Sequence, residues 1–423
     1  MISFFRRPVI FISLILLGLV NLSLSADQSS PGTSSLRPLI GQLMEDGGKP
    51  YLRYHCPEIE ASREKNSLRA LAITYSTDRQ GHNETEIRLG YNGRYRNHTL
   101  VLRLGTHQVF LYPELSGSWP GTLDIDVPEG VEILEVALSP LPADEQPIPA
   151  DMGTIMAYPP EQWRREEYEC FSWNLAPAVL VYVTRNYQDQ ARRFKRLAFF
   201  VEKPGFSGVL QPNEVIEHRH GWNAHDYRAE DLARFFRRAE EENFELNPEE
   251  RELYQTLEKH SILFREDGII QAGTGSVLSI SMETPKALRA KFLVHEAFHG
   301  LFFISPRFRL ACLDTWRSLA PEEQNFWKTF FSHRTYNVKN EFLLVNEFMA
   351  YLMQQPKDEL DWYYKEFIFQ ELTKAYPAKA ASFEAFYRTY PETFHLSASK
   401  IERTAEILFG VRAGDLNCII YNP

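Results

Sequence analysis

The run KFLVHEAFHGLFF, from Lys291 to Phe303, constrains this chain more than any other stretch. It is apolar and free of proline, yet it carries His295, Glu296 and His299 at fixed offsets. Thr284-Pro285 ahead of it predicts an N-cap and a first helical residue, and Ser305-Pro306 ends it, so the pattern predicts one buried helix. Residues four apart on a helix share a face one turn apart, which lets His295 and His299 reach a single ion at a Zn–N distance of about 2.0 to 2.1 Å. Leu288 and Phe292 continue that face. Glu296 lies roughly 100° round the axis, badly placed for a third ligand and well placed for a base that touches a water on the ion. With 12 His in 423 residues, chance gives such a triplet in roughly a few per cent of chains. Three buried polar groups without partners would also be costly. The HExxH spacing therefore reads as a metal site.

The formal net charge is -10 and no long basic tract is present, which argues against nucleic acid as a partner. The opening MISFFRRPVIFISLILLGLVNLSLSA combines Arg6 and Arg7, an apolar stretch from Val9 to Val20, and the small residues Ser23, Ser25 and Ala26. It reads as a signal peptide over 1–26, cleaved near Ala26, which predicts a secreted or periplasmic protein with no stable membrane span after cleavage. A retained N-terminal anchor is the alternative. Cys56, Cys170, Cys312 and Cys418 are an even number in an exported chain, and domain-local pairing predicts disulfides between Cys56 and Cys170 and between Cys312 and Cys418. No CxxC is present, so a thiolate metal site is not expected.

Residues 27–65 mix Ser, Pro and Gly with charges and read as a lead-in segment that ends in a turn at Cys56-Pro57. From Leu68 the period becomes two. Ile87, Leu89 and Tyr91 alternate with polar neighbours, as do Leu123, Ile125 and Val127, and Val131, Ile133, Leu134 and Val136 form another β-rich run. With further runs at 100–104, 109–112, 179–183 and 197–201, residues 66–205 predict an antiparallel β-sandwich-like domain. Six prolines between Ser139 and Pro160 predict a long loop. Trp119, Trp163 and Trp173 are expected in the core rather than on a sugar platform. Residues 206–423 are mostly helical, beginning with amphipathic stretches at Asp231–Phe244 and Asn247–His260, and two short strands are expected just before the HExxH helix. The fold class is thus α+β. His218, His220 and His225 carry an HxH spacing but no carboxylate at defined distance, and read as surface or interdomain residues.

A catalytic zinc site normally has three protein ligands, so a third donor is needed. In KNEFLLVNEFMAYLMQQ, Lys339 to Gln355, Glu347 sits among apolar neighbours where a carboxylate without a cation is costly. Glu341 follows a polar stretch and can face water. Asp314 is the other possibility.

These two stretches resemble the gluzincin metallopeptidases, in which the HExxH helix is followed by a helix supplying a Glu ligand. Asn346, Glu347, Phe348, Ala350 and Tyr351 are similar to the second-helix pattern of the aminopeptidase-type branch. The resemblance implies His295, His299 and Glu347 as ligands of one Zn2+ per chain, Glu296 as general base, a zincin-like catalytic domain over 206–423, and a peptide or protein as substrate. Two departures stand out. Tyr351 occupies the place where the thermolysin-like pattern has an Asp that orients a ligand His, and no GxMEN-type exopeptidase signature is present. His333, Tyr336 and Tyr351 are candidates for stabilising the oxyanion. The rival expectation is a non-catalytic metal-binding or glycan- or protein-binding secreted protein with a degenerate zincin domain. Nothing in the chain sets an oligomeric state.

Overall fold

In Asn83–Tyr91 every second residue from Thr85 to Leu89 is buried, the mark of a strand with one face on a core. The computed structural model describes residues 36–57, 69–79, 83–139, 142–143, 145–203, 205–219 and 221–422. The stretch 1–26, read above as a signal peptide, lies outside them. Among the described residues no helix is long and apolar enough to cross a membrane.

Two antiparallel sheets make up the N-terminal part. One is ordered Arg37–Pro38, Val131–Ser139, Ala70–Thr77, Gly105–Leu111. The other runs Ile419–Ile420, Arg94–Leu102, Asn83–Tyr91, Thr122–Asp126, Lys49–His55, Gly41–Asp46. Leu71, Ile73, Val109 and Val136 of the first meet Ile87, Leu89, Leu100 and Ile125 of the second in one core. The sandwich is as expected, but it begins earlier. Gly41–Asp46 and Lys49–His55 form a hairpin inside the stretch read as a lead-in. Its two-residue turn is Gly47-Gly48, both at positive φ, as tight hairpin turns demand.

Next comes a five-stranded mixed sheet ordered Ile148–Ala150, Tyr168–Trp173, Val179–Thr184, Ser276–Ser281, Ala224–Arg228. Its strands come from both sides of residue 205, so the expected boundary there falls within one sheet. The proline-rich stretch is not a plain loop: it supplies the edge strand Ile148–Ala150, where Pro149 is tolerated, and the helix Met152–Ala157 capped by Asp151. Nor is 197–201 a strand. It ends the helix Tyr187–Val201, which the Asn186 side chain caps by accepting from Asp189 N. The run of apolar residues there follows the helical period, with Phe194, Leu197 and Ala198 buried.

The mixed sheet is covered on both faces. Leu180, Tyr182 and Val277 pack under Tyr187–Val201, Ala229–Glu241 and Pro248–Lys259. Val181, Val183, Leu278 and Ile280 share a core with the helix Lys286–Ile304. Gly300 permits this close approach, since a Cβ there would sit 3.0 Å from Val179 Cγ1. Thr284 does not cap this helix. Pro285 holds the cap position, and Thr284 Oγ1 is 2.8 Å from Tyr187 Oη. Ser305 closes the helix and caps the next, Pro306–Arg317. The helices Pro321–His333, Glu341–Met353, Ala380–Thr389 and Thr393–Phe409 complete the α-rich half, and the chain is α+β.

The four cysteines are free and buried, so neither expected disulfide is present. Cys56 and Cys418 lie in the sandwich core, Cys170 under the mixed sheet, and Cys312 in the helical core. Burial pushes the thiols of Cys56, Cys170 and Cys418 up to about 12. Trp163 and Trp173 are buried core residues, as expected. Trp119 packs against the sandwich core and donates to Pro57 O at 3.0 Å.

The C-terminal tail ties the two halves together. Ile419 and Ile420 pair with Leu100 and Thr99 in the sandwich. Asp151, fully buried, accepts from Gly153 N and Thr154 N on its own helix, and from Cys418 N at 2.8 Å and Ile419 N at 3.1 Å on the tail. Arg103 reaches Gly410 O, Asn417 O and Asp415 from the sandwich side. Replacing Asp151 by Ala leaves several buried N–H groups unmatched at about 1–3 kcal/mol each. We expect Asp151→Ala to lose roughly 3 kcal/mol or more, read as a lower urea midpoint with the slope unchanged. A midpoint equal to that of the unsubstituted protein would show the tail to be held by strand pairing alone.

Candidate metal centre and cleft

Three elements meet at one cavity of about 530 Å³: the helix Lys286–Ile304, the helix Glu341–Met353, and the edge strand Ala224–Arg228. His295 and His299 project from the first helix one turn apart, with rings edge to face at 4.7 Å. Glu347 comes from the second. Its Oε2 lies 3.6 Å from His295 Nε2 and its Oε1 3.8 Å from His299 Nε2. His295, His299 and Glu347 are all buried and present donor atoms within 4.8 Å of one another.

The remaining candidates are placed elsewhere. Asp314 is exposed on the helix Pro306–Arg317. Glu341 is exposed and paired with Arg317 at 3.2 Å. His218 is exposed, His225 is buried with Nδ1 2.8 Å from Tyr227 Oη, and His220 lies outside the described residues. His333 is bound to Glu371 at 3.0 Å. Tyr351 packs edge-on against His295 at 4.9 Å, and Tyr336 lines the cavity beside Glu347.

The residue that orients His295 was not legible from spacing. Gln354, almost two turns beyond Glu347, accepts from His295 Nδ1 through Oε1 at 3.2 Å. That bond places the proton on Nδ1 and leaves the Nε2 lone pair turned toward Glu347, the tautomer a metal ligand needs. Tyr351, in the place where an Asp is expected, supplies a ring contact instead.

Two further carboxylates were missed as well. Asp226 projects from the edge strand, with Oδ2 3.9 Å from His299 Nδ1, and groups with Glu296 and His299 as a second set of converging donors. Glu202, at the end of the helix Tyr187–Val201, completes the wall. Only the tertiary fold brings 202, 226, 296 and 347 together. Strand alternation across 224–228 could have placed Asp226 opposite the buried His225 and Tyr227, but not against the HExxH helix.

The electrostatics follow from this crowding. Burial pushes both imidazoles down to about 4, so they are neutral near pH 7. Burial also raises Glu296 well above the usual carboxylate range, with Glu347 and Glu202 adding to it. It raises Asp226 similarly, with Glu296 the next contributor. It lifts Glu202 to about 8, with help from Glu347. Glu347 is raised by burial, and His299 and the Tyr336 hydroxyl oppose that. Oε2 of Glu296 and Oε2 of Glu347 are buried without a hydrogen-bond partner. Buried acceptors left without a donor are expensive, and a cation seated among the neutral imidazoles and Glu347 would resolve that cost. The donor set of two nitrogens and one carboxylate oxygen suits zinc.

No protein-family model matches the chain, and no curated protein matches its sequence.

A pH dependence follows for the metal-free protein. The folded Glu202, raised to about 8, still holds a proton over much of pH 7 to 8 that its unfolded counterpart, at about 4, has lost, and Asp226 and Glu296 are shifted in the same direction. The folded state then binds more protons, so stability falls as pH rises, by about 1.4 kcal/mol per pH unit for each proton held. The two histidines, depressed to about 4, contribute stability that is present above about 6.5 and is lost only as pH falls below it. Urea unfolding in a chelator at pH 7.0, 7.5 and 8.0 should show the decline. Saturating zinc should flatten it, and a rise in stability with pH would contradict the assignment.

Proposed function

We propose that this chain is an exported zinc-dependent peptidase of the gluzincin type, in which His295, His299 and Glu347 hold the ion and Glu296 is the general base. The observation that carries the reading is Glu296. It sits one residue along from His295, faces the same cavity, and its Oε2 is buried with no partner. A purely structural metal site has no use for such a base.

When bound, zinc supplies Lewis acidity that makes a water acidic and polarises a carbonyl. The chain's own groups supply the rest. Glu296 takes the proton of the attacking water at Oε2 and hands it to the departing amine nitrogen. The Tyr336 hydroxyl, which is bonded to Glu347 and lines the cavity, is the proposed donor to the developing oxyanion. Among the described residues Ala224–Arg228 is the edge of its sheet and pairs with Ser276–Ser281 alone. Ala224 and Asp226 line the cavity, and an extended peptide added to that edge as one more strand would lie along it.

The purified protein should carry about one zinc per chain by elemental analysis. Glu296→Gln should abolish cleavage of a peptide library while keeping the zinc, because the base touches the water rather than the ion. Loss of zinc in that variant would make Glu296 a ligand and remove the base from the scheme.

Glu347→Ala should lose zinc affinity and activity together, by at least tenfold to a hundredfold in affinity on the scale of even outer-shell losses. Asp314→Ala should keep both, since Asp314 is exposed on a different helix. Competition with a fluorescent zinc chelator reads the affinities. Retained affinity in Glu347→Ala would assign the third ligand elsewhere.

A further inference from the structure

Acidic and basic side chains both line the cavity, Glu202 and Asp226 among the first, Lys291 and Arg334 among the second. The proposed mechanism gives Lys291 and Arg334 no task. Lys291 is four residues before His295, so it occupies the same helix face one turn toward the N-terminus, about 5.4 Å along the axis. Its Nζ sits 4.0 Å from the centroid of the Tyr363 ring, which fixes the ammonium at the cavity wall. Among the described residues no carboxylate oxygen lies within ion-pair distance of it. Glu359 acts on it only from further off, and the Arg334 charge opposes it. Arg334 spends Nη2 on Glu371 Oε2 at 2.7 Å and leaves Nε buried with no hydrogen-bond partner. Two cations facing one space, one without a counter-ion and one with an unmatched donor, leave a vacancy of negative charge.

We infer that Lys291, with Arg334 behind it, binds a carboxylate of the substrate peptide and so determines which peptides this cleft accepts. The inference rests on the peptidase reading for the nature of the substrate, since the anionic groups of a peptide are its C-terminal carboxylate and its acidic side chains. One helical turn separates Lys291 from His295, and a peptide advances about 3.3–3.6 Å per residue. The bound carboxylate therefore lies about one or two residues from the carbonyl under attack. Lys291 touches that carboxylate directly. The preferred substrate is accordingly a peptide with a negative group close to the scissile bond on the Lys291 side.

The test uses binding, which does not require turnover. The full chain carrying Glu296→Gln is loaded with zinc and titrated by calorimetry with four probes. These are an alanine–phenylalanine hexapeptide with a free C-terminal carboxylate, its C-terminal amide, and two further amides carrying either one internal glutamate or one internal glutamine. We expect at least one carboxylate member to bind about tenfold tighter than its neutral partner, the scale of a hydrogen bond to a charged group. The acid–amide pair reports a C-terminal carboxylate and the glutamate–glutamine pair reports a side chain. Adding Lys291→Met should erase the preference, and Lys291→Arg should keep most of it. Equal binding within both pairs, absence of binding by all four, or a preference that survives Lys291→Met overturns the inference. The within-pair comparison needs no change at Lys291, so a poorly folded variant does not obscure it. Failure of the peptidase reading shows separately, as no cleavage of any probe by the zinc-loaded protein with Glu296 intact, and leaves the binding result standing.

Discussion

Desolvation of ionisable groups at the crossing of two apolar helices is the constraint on which the rest of this structure turns. Lys286–Ile304 and Glu341–Met353 are buried along much of their length, yet at their crossing they bring together two imidazoles and two carboxylates. Each carboxylate is raised and each imidazole depressed by the same cause, removal from water. A fold that holds such a set must hold it rigidly, because any relaxation that let water in would lower the cost and disperse the geometry. The mixed sheet beneath the first helix, the close approach at Gly300, and the aromatic packing of Tyr351 on His295 and Phe330 provide that rigidity.

The same constraint explains the long-range tie made by the tail. The helical half packs its last helix, Thr393–Phe409, against Glu341–Met353, which carries Glu347. The chain then leaves through Arg103 and Asp151 and ends as a strand of the sandwich. Buried charged groups of this kind are costly unless matched by several hydrogen bonds. Asp151 is matched by backbone N–H groups of its own helix and of the tail, and Arg103 is matched through Nη1 and Nη2 while its Nε has no partner among the described residues. The sandwich is thereby held in a fixed relation to the sheet under the cleft rather than strung beside it.

How much of this could be read from residue order depends on the range of the interaction. The HExxH helix was legible because its signal is local: spacing, polarity and breakers all lie within about twenty residues, the scale on which helical periodicity acts. Glu347 was legible because a carboxylate in an apolar run is anomalous whatever surrounds it. Gln354, Asp226 and Glu202 were not, because an amide and two ordinary acids acquire a role only when strands and helices far apart in sequence converge. The hairpin at 41–55 was missed for a different reason. Its outer strand is exposed throughout and so shows no buried period, although Gly47-Gly48 is a recognisable hairpin turn. The stretch 197–201 was misread because a short apolar run fits either period until its capped start at Asn186 is taken into account. The disulfides were inferred from count and compartment, neither of which constrains where thiols lie. The fold puts the two members of each expected pair in different cores.

Charge in the cavity closes the physical picture. Four carboxylates, Glu202, Asp226, Glu296 and Glu347, face a space in which Arg334 is largely committed to Glu371, and only Lys291 offers an uncommitted positive group. A divalent cation among His295, His299 and Glu347 would relieve the inner pair, Glu296 and Glu347, since its charge favours both ionised forms. It would also favour ionised Asp226, whose Oδ2 lies 3.9 Å from His299 Nδ1, and it would repel Lys291. Filling the metal position therefore restores negative charge to the carboxylates beside the ion, while Lys291 keeps its ammonium 4.0 Å from the Tyr363 ring. A ligand carboxylate away from the ion would be repelled by the first and drawn to the second, a difference that grows as water is displaced.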